Sequence, residues 1–216
     1  MKPDIRINET SMLALGWLRE TVSFPTPQSQ SEVIVVPGRN SPIRYTEALG
    51  RVAYQPRSFE LTFTMHGSRA EYDRMVSVVA NRFAGQLVQV ICTEDPSLYI
   101  TGTVEAESTY DPLTGKGSMT LSSTDADAFR YHVAETVVTI SGSGMAILTN
   151  DYMPVVPVVK TTAETSLAWT VGSDTFRKTV SAGTWEFPEL ELAYGENKIT
   201  IVGEGTTTFT YREGRL

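Results

Sequence analysis

A strict alternation of apolar and polar side chains constrains residues 59–66 more than any other segment. Phe59, Leu61, Phe63 and Met65 alternate with polar residues. At the two-residue period of a β-strand, this spacing places four apolar side chains on one face. The segment is therefore the clearest strand of the chain.

Shorter runs of similar composition surround this strand in the first half of the chain. They are residues 33–36, 99–104 and 119–121. Turn-rich segments such as residues 110–115 separate them. The first half is therefore expected to be mainly β, either a sandwich or an open barrel.

One helical pattern interrupts these strands, from about Ser68 to Gly85. Ser68 followed by Glu71 forms a capping box, and Gly85 can adopt the left-handed backbone conformation that ends a helix. Between them, apolar residues recur at spacings of three and four and share one stripe: Tyr72, Met75, Val76, Val79 and Phe83. The stripe predicts a single α-helix that covers a sheet.

The second half has the pattern of a smaller antiparallel β-sandwich without a helix. Its apolar runs are residues 137–140, 155–159, 167–171, 185–187, 199–202 and 209–211. Turn signals at residues 172–174 and 194–197 separate some of these runs. We place the boundary near His132, which gives domains of residues 1–132 and 133–216.

Composition argues against membrane and nucleic-acid roles. The chain is 41% hydrophobic and 20% charged, and no apolar run approaches the roughly 18 residues of a membrane span. The first residues, MKPDIR, lack the apolar stretch of a secretory signal. A formal charge of −7 disfavours a surface that grips DNA phosphates. We therefore expect a globular protein that is assembled inside a cell.

Few side chains suggest catalysis or metal binding. Cys92 lies in the apolar run LVQVIC and is interpreted as a small buried hydrophobic residue. His66 and His132 have no His or Cys neighbour at metal-ligand spacing. We therefore expect no catalytic residue, no metal and no cofactor.

Three polar segments have simpler interpretations than the sites they superficially resemble. Glu94 and Asp95 before Pro96 are expected to form a charged loop rather than a catalytic carboxylate pair. Residues 125–127, DAD, lack the downstream glycine and glutamate of a calcium loop and suit a solvated turn or a helix cap. Residues 115–118, GKGS, lack the first glycine of a phosphate loop and suit a hairpin.

Three aromatic residues of the second domain keep a carbohydrate-binding interpretation open. Trp169, Trp185 and Tyr194 are candidates for a platform that stacks against sugar rings. Trp169 and Trp185 lie in strand-like patterns, which favours core positions for both. A carbohydrate-binding module that contributes to host adsorption is therefore the alternative function.

An ordered set of short motifs resembles the distal tail protein (Dit) family of long-tailed, siphovirus-type bacteriophages. The motifs are residues 36–40 (VPGRN), 54–63 (YQPRSFELTF), the helix, and 94–102 (EDPSLYITG). The chain's end, residues 194–216, is also similar to the close of such proteins. Residues 40–42 and Glu94 depart from the family's usual acidic residue, glycine and aspartate.

The resemblance implies a structural role at the virion tail tip, after assembly in the host cytoplasm. Such a protein forms a hexameric ring in the baseplate, between the tail tube protein and the tail-associated hub or lysin. Tape-measure protein and later DNA occupy the lumen without specific binding, and no membrane is involved. A peptidoglycan-cleaving tail enzyme is the least favoured interpretation.

The motif positions also suggest which residues contact neighbouring subunits. The candidates for an oligomer or docking interface are Pro37, Gly38, Arg39, Asn40, Arg57, Asp95 and Pro96.

Overall fold

A computed structural model describes residues 3–35, 37–38, 40–45 and 51–216. The chain divides into two compact units, Met1–Arg130 and Tyr131–Leu216. Within the described ranges, no helix is long and apolar enough to cross a membrane. Each unit has its own hydrophobic core.

The first unit consists of ten strands and one helix within its described residues. They are β1 (Ile5–Ile7), β2 (Thr10–Ser11), β3 (Leu18–Ser23), β4 (Glu32–Ile34), β5 (Ile43–Tyr45), β6 (Arg57–His66), α1 (Arg69–Phe83), β7 (Leu87–Cys92), β8 (Asp95–Thr103), β9 (Glu105–Asp111) and β10 (Lys116–Ala126). Strands β2-β1-β7-β8 lie side by side in one sheet, and β3-β6-β10-β9 form a second. A separate antiparallel pair joins β4 to β5.

The alternating segment is the centre of the second of these sheets. In β6, Phe59, Leu61, Phe63 and Met65 are all buried, whereas the residues between them are exposed or half-buried. Strand β10 pairs with β6 and contributes buried Met119 opposite Phe63. The alternation of apolar and polar residues thus produces a strand with one buried face, as predicted.

Helix α1 begins and ends at the predicted signals. Ser68 is the N-cap, and its Oγ accepts a hydrogen bond from the amide of Glu71 at 3.3 Å. The helix ends at Phe83, and Gly85 follows with φ +70°. The amide of Gly85 then donates to the carbonyl of Val104 at 2.8 Å, which connects the helix end to the start of β9.

The apolar stripe of α1 faces the core of the first unit. Tyr72, Val79 and Phe83 are buried, and Met75 and Val76 pack against the same core from half-buried positions. The covering helix predicted from the spacing of these residues is therefore confirmed.

A hairpin joins β9 to β10 through the turn at residues 112–115. Asp111 accepts hydrogen bonds from the amide of Leu113 at 2.9 Å and from Thr114 Oγ1 at 2.7 Å. The Thr114 hydroxyl is the main reason that the pKa of Asp111 lies below its ordinary value. The GKGS segment at residues 115–118 belongs to this hairpin, which confirms its interpretation.

The second unit is entirely β-structure and connecting segments. Its strands, the first of which starts at the unit boundary, are β11 (Arg130–His132), β12 (Thr136–Ser141), β13 (Gly144–Asn150), β14 (Val158–Thr161), β15 (Thr165–Val171), β16 (Asp174–Val180), β17 (Gly183–Glu186), β18 (Gly195–Gly203), β19 (Thr206–Tyr211) and β20 (Gly214–Arg215). Two four-stranded antiparallel sheets, β12-β19-β14-β17 and β13-β18-β15-β16, enclose one core. The predicted C-terminal sandwich is therefore confirmed.

Three segments predicted as loops or turns are strands in whole or in part. The predicted turn at residues 125–127 is wrong for Asp125 and Ala126, which end β10, with Ala126 opposite Arg57 of β6. Asp95 and Pro96 begin β8, and Asp95 pairs with Cys92 of β7, so the turn is confined to Thr93 and Glu94. Gly195 likewise begins β18 rather than a turn. In each case an antiparallel partner supplies the backbone hydrogen bonds that override the local turn preference.

Candidate functional site

A cavity of about 320 Å³ opens between the two main sheets of the first unit. Its floor is apolar and comes from both sheets: Val22, Phe24, Val90, Leu98 and Ile100. Cys92 and Tyr99 also contribute to the lining, together with four charged residues. A concave apolar floor with a few polar groups is the usual form of a binding pocket.

Two ion pairs form the charged part of the lining. Arg19 Nη1 donates to Glu94 Oε2 at 2.7 Å, and its second terminal nitrogen contacts the other carboxylate oxygen. This hydrogen bond is the main cause of the lowered pKa of Glu94. Arg130 Nη1 lies 3.6 Å from Asp95 Oδ2. Each cation of the lining therefore faces a carboxylate, and the pocket has no excess charge of either sign.

Cys92 lies in this pocket but is a poor nucleophile. Burial, followed by the negative charge of Glu94, raises the pKa of the Cys92 thiol to about 11. Because the thiolate is the reactive form, the neutral thiol behaves as part of the apolar lining. The pocket is thus suited to accepting an apolar group rather than to performing chemistry.

The histidines do not form a metal site with other ligands. His66 is exposed at the end of β6. In the second unit, His132 Nε2 lies 3.0 Å from Asp151 Oδ2. Among the residues that the structure describes, no group of three or more His, Cys, Asp or Glu side chains is arranged to hold a metal ion.

The structure separates the candidate interface residues into different environments. Asp95 lies in the pocket lining, and the adjacent Pro96 is exposed. Pro37, Gly38 and Asn40 are exposed between β4 and β5, outside the pocket lining. Arg39 falls outside the described residues, as do residues 36 and 46–50.

Arg57, another candidate interface residue, is buried inside the first unit. It is 5% exposed, and its Nη2 donates to the carbonyl of Phe24 at 2.8 Å. Its Nη1 donates to the carbonyl of Ala128 at 3.4 Å. Burial, with a further contribution from Arg130, lowers the pKa of Arg57. The guanidinium therefore connects two segments of its own chain, and so this side chain is not available as a surface contact.

The three candidate aromatic residues of the second unit do not form one exposed platform. Trp169 is buried, stacks on Phe176, and donates its indole N–H to the carbonyl of Glu189 at 3.0 Å. Trp185 lies on the opposite sheet, half-buried, and donates to the carbonyl of Ser181 at 3.1 Å. Tyr194 is 75% exposed. The core position favoured from the sequence is confirmed for Trp169, whereas Trp185 packs against the core from a half-buried position.

Of the residues that line the pocket, only Asp95 was a candidate interface residue from the sequence. The motif at residues 94–102 supplies Glu94, Asp95, Leu98, Tyr99 and Ile100 to the lining. Arg19 and Arg130, which pair with its two carboxylates, were not predicted. Neither arginine belongs to a recognisable motif. Arg19 is 75 positions from Glu94, and Arg130 is 35 positions from Asp95, so only the fold brings each pair together.

Comparison with known proteins identifies one fold. No family model matches the chain, and no curated protein matches its sequence. Among solved structures, the chain is similar to a crystal structure of the SPP1 Dit (gp 19.1) protein, described as a paradigm of the hub adsorption apparatus in phages that infect Gram-positive bacteria. The match covers 100% of both chains with a TM-score of 0.73 and 13% sequence identity. The chain therefore has the fold of the SPP1 Dit protein, as its motifs predicted.

Proposed function

We propose that this chain is a non-enzymatic structural component of a phage tail tip, which forms a hexameric ring between the tail tube and the tail-associated hub or lysin. The observation that carries the proposal is the match along the entire length of both chains to the SPP1 Dit protein. A likeness that spans both units is more than a shared β-sandwich, because one common domain would cover only part of the chain.

An exposed apolar hairpin supports an assembled state. Val33, Ile34 and Val35 are 50%, 43% and 77% exposed, and all three lie in or beside β4. Three consecutive exposed aliphatic side chains are unfavourable in water, and such patches mark interaction sites. In a ring, this hairpin and the adjoining exposed residues Pro37, Gly38 and Asn40 would be covered by a neighbouring subunit.

The pocket offers a second docking element. Its floor is apolar, and its two ion pairs are already formed within the chain. A partner that inserts an apolar side chain there buries apolar area without leaving a charge unpaired. Asp95 and Pro96 would then contribute to docking through their position beside this pocket.

The charge balance suits a lumen through which DNA passes. The formal charge of −7 gives the chain no general attraction for phosphates. Weak contact with DNA is an advantage for a conduit, because the polymer must move past each subunit without being held. Tape-measure protein would occupy the same channel before DNA release.

Ring formation is tested by electron microscopy and mass photometry of the purified chain at high concentration, alone and with tube protein. We expect rings of six subunits in at least one of these conditions. Val35→Asp should abolish the rings because it places a charge in the exposed apolar hairpin. Leu113→Asp is the matched control, since Leu113 is 95% exposed at the β9–β10 turn. A strict monomer under both conditions, or rings unaffected by Val35→Asp, would contradict the proposal.

A further inference from the structure

The outer face of the β13-β18-β15-β16 sheet carries a trench that runs along β15. Thr165, Leu167 and Trp169 of this strand are buried in the core, so the residues between them face outward. These outward residues are small: Ser166, Ala168 and Thr170. The floor of the trench from Ser166 to Thr170 is about 13 Å long at the usual rise of a strand.

Longer side chains on the two adjoining strands form the walls. Ala168 pairs with Arg177 of β16 on one side and with Thr200 of β18 on the other. Ser166 pairs with Val202 of β18. A cavity of about 230 Å³ lies at this point, lined by these five residues and Leu167.

The walls carry cations that have no partner within the chain. Arg177 is exposed, and among the described residues it makes neither a hydrogen bond nor an ion pair. Lys198, one outward position along β18 from Thr200, is also exposed and likewise has no such partner in the described chain. The unpaired charges contrast with the chain's formal charge of −7. Lys198 lines an adjoining cavity together with Glu191 and Glu196, so Arg177 is the cation that gives the trench local complementarity to an anionic group.

From this arrangement, the geometry points to a binding site for a linear anionic saccharide that carries carboxylate or phosphate groups. The Arg177 guanidinium provides a planar fork for such a group. Ser166 Oγ and Thr170 Oγ1 each share one hydrogen bond with a threonine of β16, at 2.6 and 3.5 Å, and each keeps further hydrogen-bonding capacity for a sugar hydroxyl, as does Thr200. Ala168 and Val202 provide an apolar floor and wall for the C–H faces of the ring. The site is independent of ring formation.

An extended peptide fits the trench less well. Strand β15 pairs with β16 and with β18, so its backbone groups are used in two ladders. Peptides that bind sheets as strands obtain much of their affinity from a free edge, which β15 does not offer. Side-chain hydroxyls and cations are what this face presents, and those groups favour a polyhydroxylated ligand.

Calorimetric titration of the full chain tests the site with four probes. They are a uronic-acid oligosaccharide, a polyol-phosphate oligomer, a neutral glucan of the same length and a polyglutamate peptide. We expect binding of at least one anionic oligomer, and the probe that binds identifies whether carboxylate or phosphate is recognised. Neutral glucan and polyglutamate should bind at least about tenfold more weakly, because the glucan lacks the anionic groups and polyglutamate lacks the sugar hydroxyls.

Two variants and one control locate the site. Arg177→Gln should weaken binding about tenfold or more through loss of a charge-assisted contact, and Ala168→Leu should block the trench. Lys160→Gln, at an exposed position of β14 on the other sheet, should leave binding unchanged. Arg177 is exposed, so its variant is expected to fold even if Ala168→Leu does not. The inference is overturned if no anionic oligomer binds, if polyglutamate binds equally well, or if Arg177→Gln has no effect.

Discussion

The ring of Tyr72 fills the space that a side chain at Gly117 would need. A β-carbon at Gly117 would overlap carbons of the Tyr72 ring. The hydroxyl of the same tyrosine donates a hydrogen bond to the carbonyl of Ser118 at 3.1 Å. Helix α1 therefore contacts β10 at a distance that only glycine permits.

Gly117→Ala is expected to destabilise the first unit by at least about 2 kcal/mol, since a well-packed ring must move to admit the methyl group. Urea unfolding measures the change. Gly144→Ala in β13 is the control, because its β-carbon would meet Ile140 Cγ2 at an ordinary 3.4 Å. Adding Tyr72→Leu to Gly117→Ala should recover part of the loss. Equal stability of Gly117→Ala and the unmodified chain would contradict the packing described here.

Arg57→Ala should lower the free energy of unfolding by about 1–3 kcal/mol, because the carbonyls of the half-buried residues Phe24 and Ala128 lose their charged donor. The change is measured as a shift in the midpoint of urea unfolding, with the dependence of the unfolding free energy on urea concentration unchanged. Arg6→Ala provides the comparison, since Arg6 is exposed in β1 and its loss should be nearly neutral. If Arg57→Ala kept full stability and lost only ring formation, the residue would be an interface contact after all.

Cys92 should react slowly with a disulfide reagent in the native chain. With the pKa of its thiol raised to about 11 from an ordinary 9.0, the thiolate fraction at pH 8 is about a hundredfold smaller than in the unfolded chain. Absorbance at pH 8 with Ellman's reagent, with and without urea, measures the difference. The native rate should rise as the pH approaches 11. Rapid stoichiometric labelling at pH 8 without urea would refute the assignment.

Asp125 should make stability depend on pH in the acid range. The amide of Thr103 and the hydroxyl of Ser123 each donate to Asp125 Oδ1 at 2.9 Å, and the Thr103 amide is the main cause of the lowered pKa of Asp125. Because the folded pKa lies below the unfolded one, the unfolded chain binds more protons. The stabilisation is therefore present at neutral pH and is lost as the pH falls through the folded pKa.

The corresponding variant is Asp125→Asn, measured by urea unfolding at pH 7 and near pH 2. It should be less stable than the unmodified chain at pH 7, and the difference should shrink at the lower pH. Asp127→Asn, which removes an exposed carboxylate two residues away, is the control for the loss of one negative charge. A stability difference that is the same at both pH values would exclude the proposed role of Asp125.

The elements that the sequence predicted well are those in which apolar residues form the buried face and polar residues form the exposed face. Strand β6 and helix α1 both follow this rule, so their periods are visible in the residue order. Strand β13 was missed because Met145 and Ile147 are exposed, next to buried Ala146 and Leu148. Because residues 145–148 are all apolar, their order shows no alternation of apolar and polar residues. Strand β16 was missed for the opposite reason, since polar residues occupy most of it.

The candidate site was only partly predictable because its charges pair over long distances. Glu94 belongs to a recognisable motif, but Arg19 is 75 positions earlier in the chain. Local patterns carry no information about such a pair. Burial of Arg57 is likewise set by the strands packed around it, because an arginine by its residue type alone favours the surface.

The two hydrophobic cores have no residue in common: one includes Trp17 and Phe63, and the other includes Trp169 and Phe209. Substitutions that repack one core therefore leave the other intact. A chain organised in this way can diverge at two independent rates, because a substitution inside one core is compensated by residues of that same core.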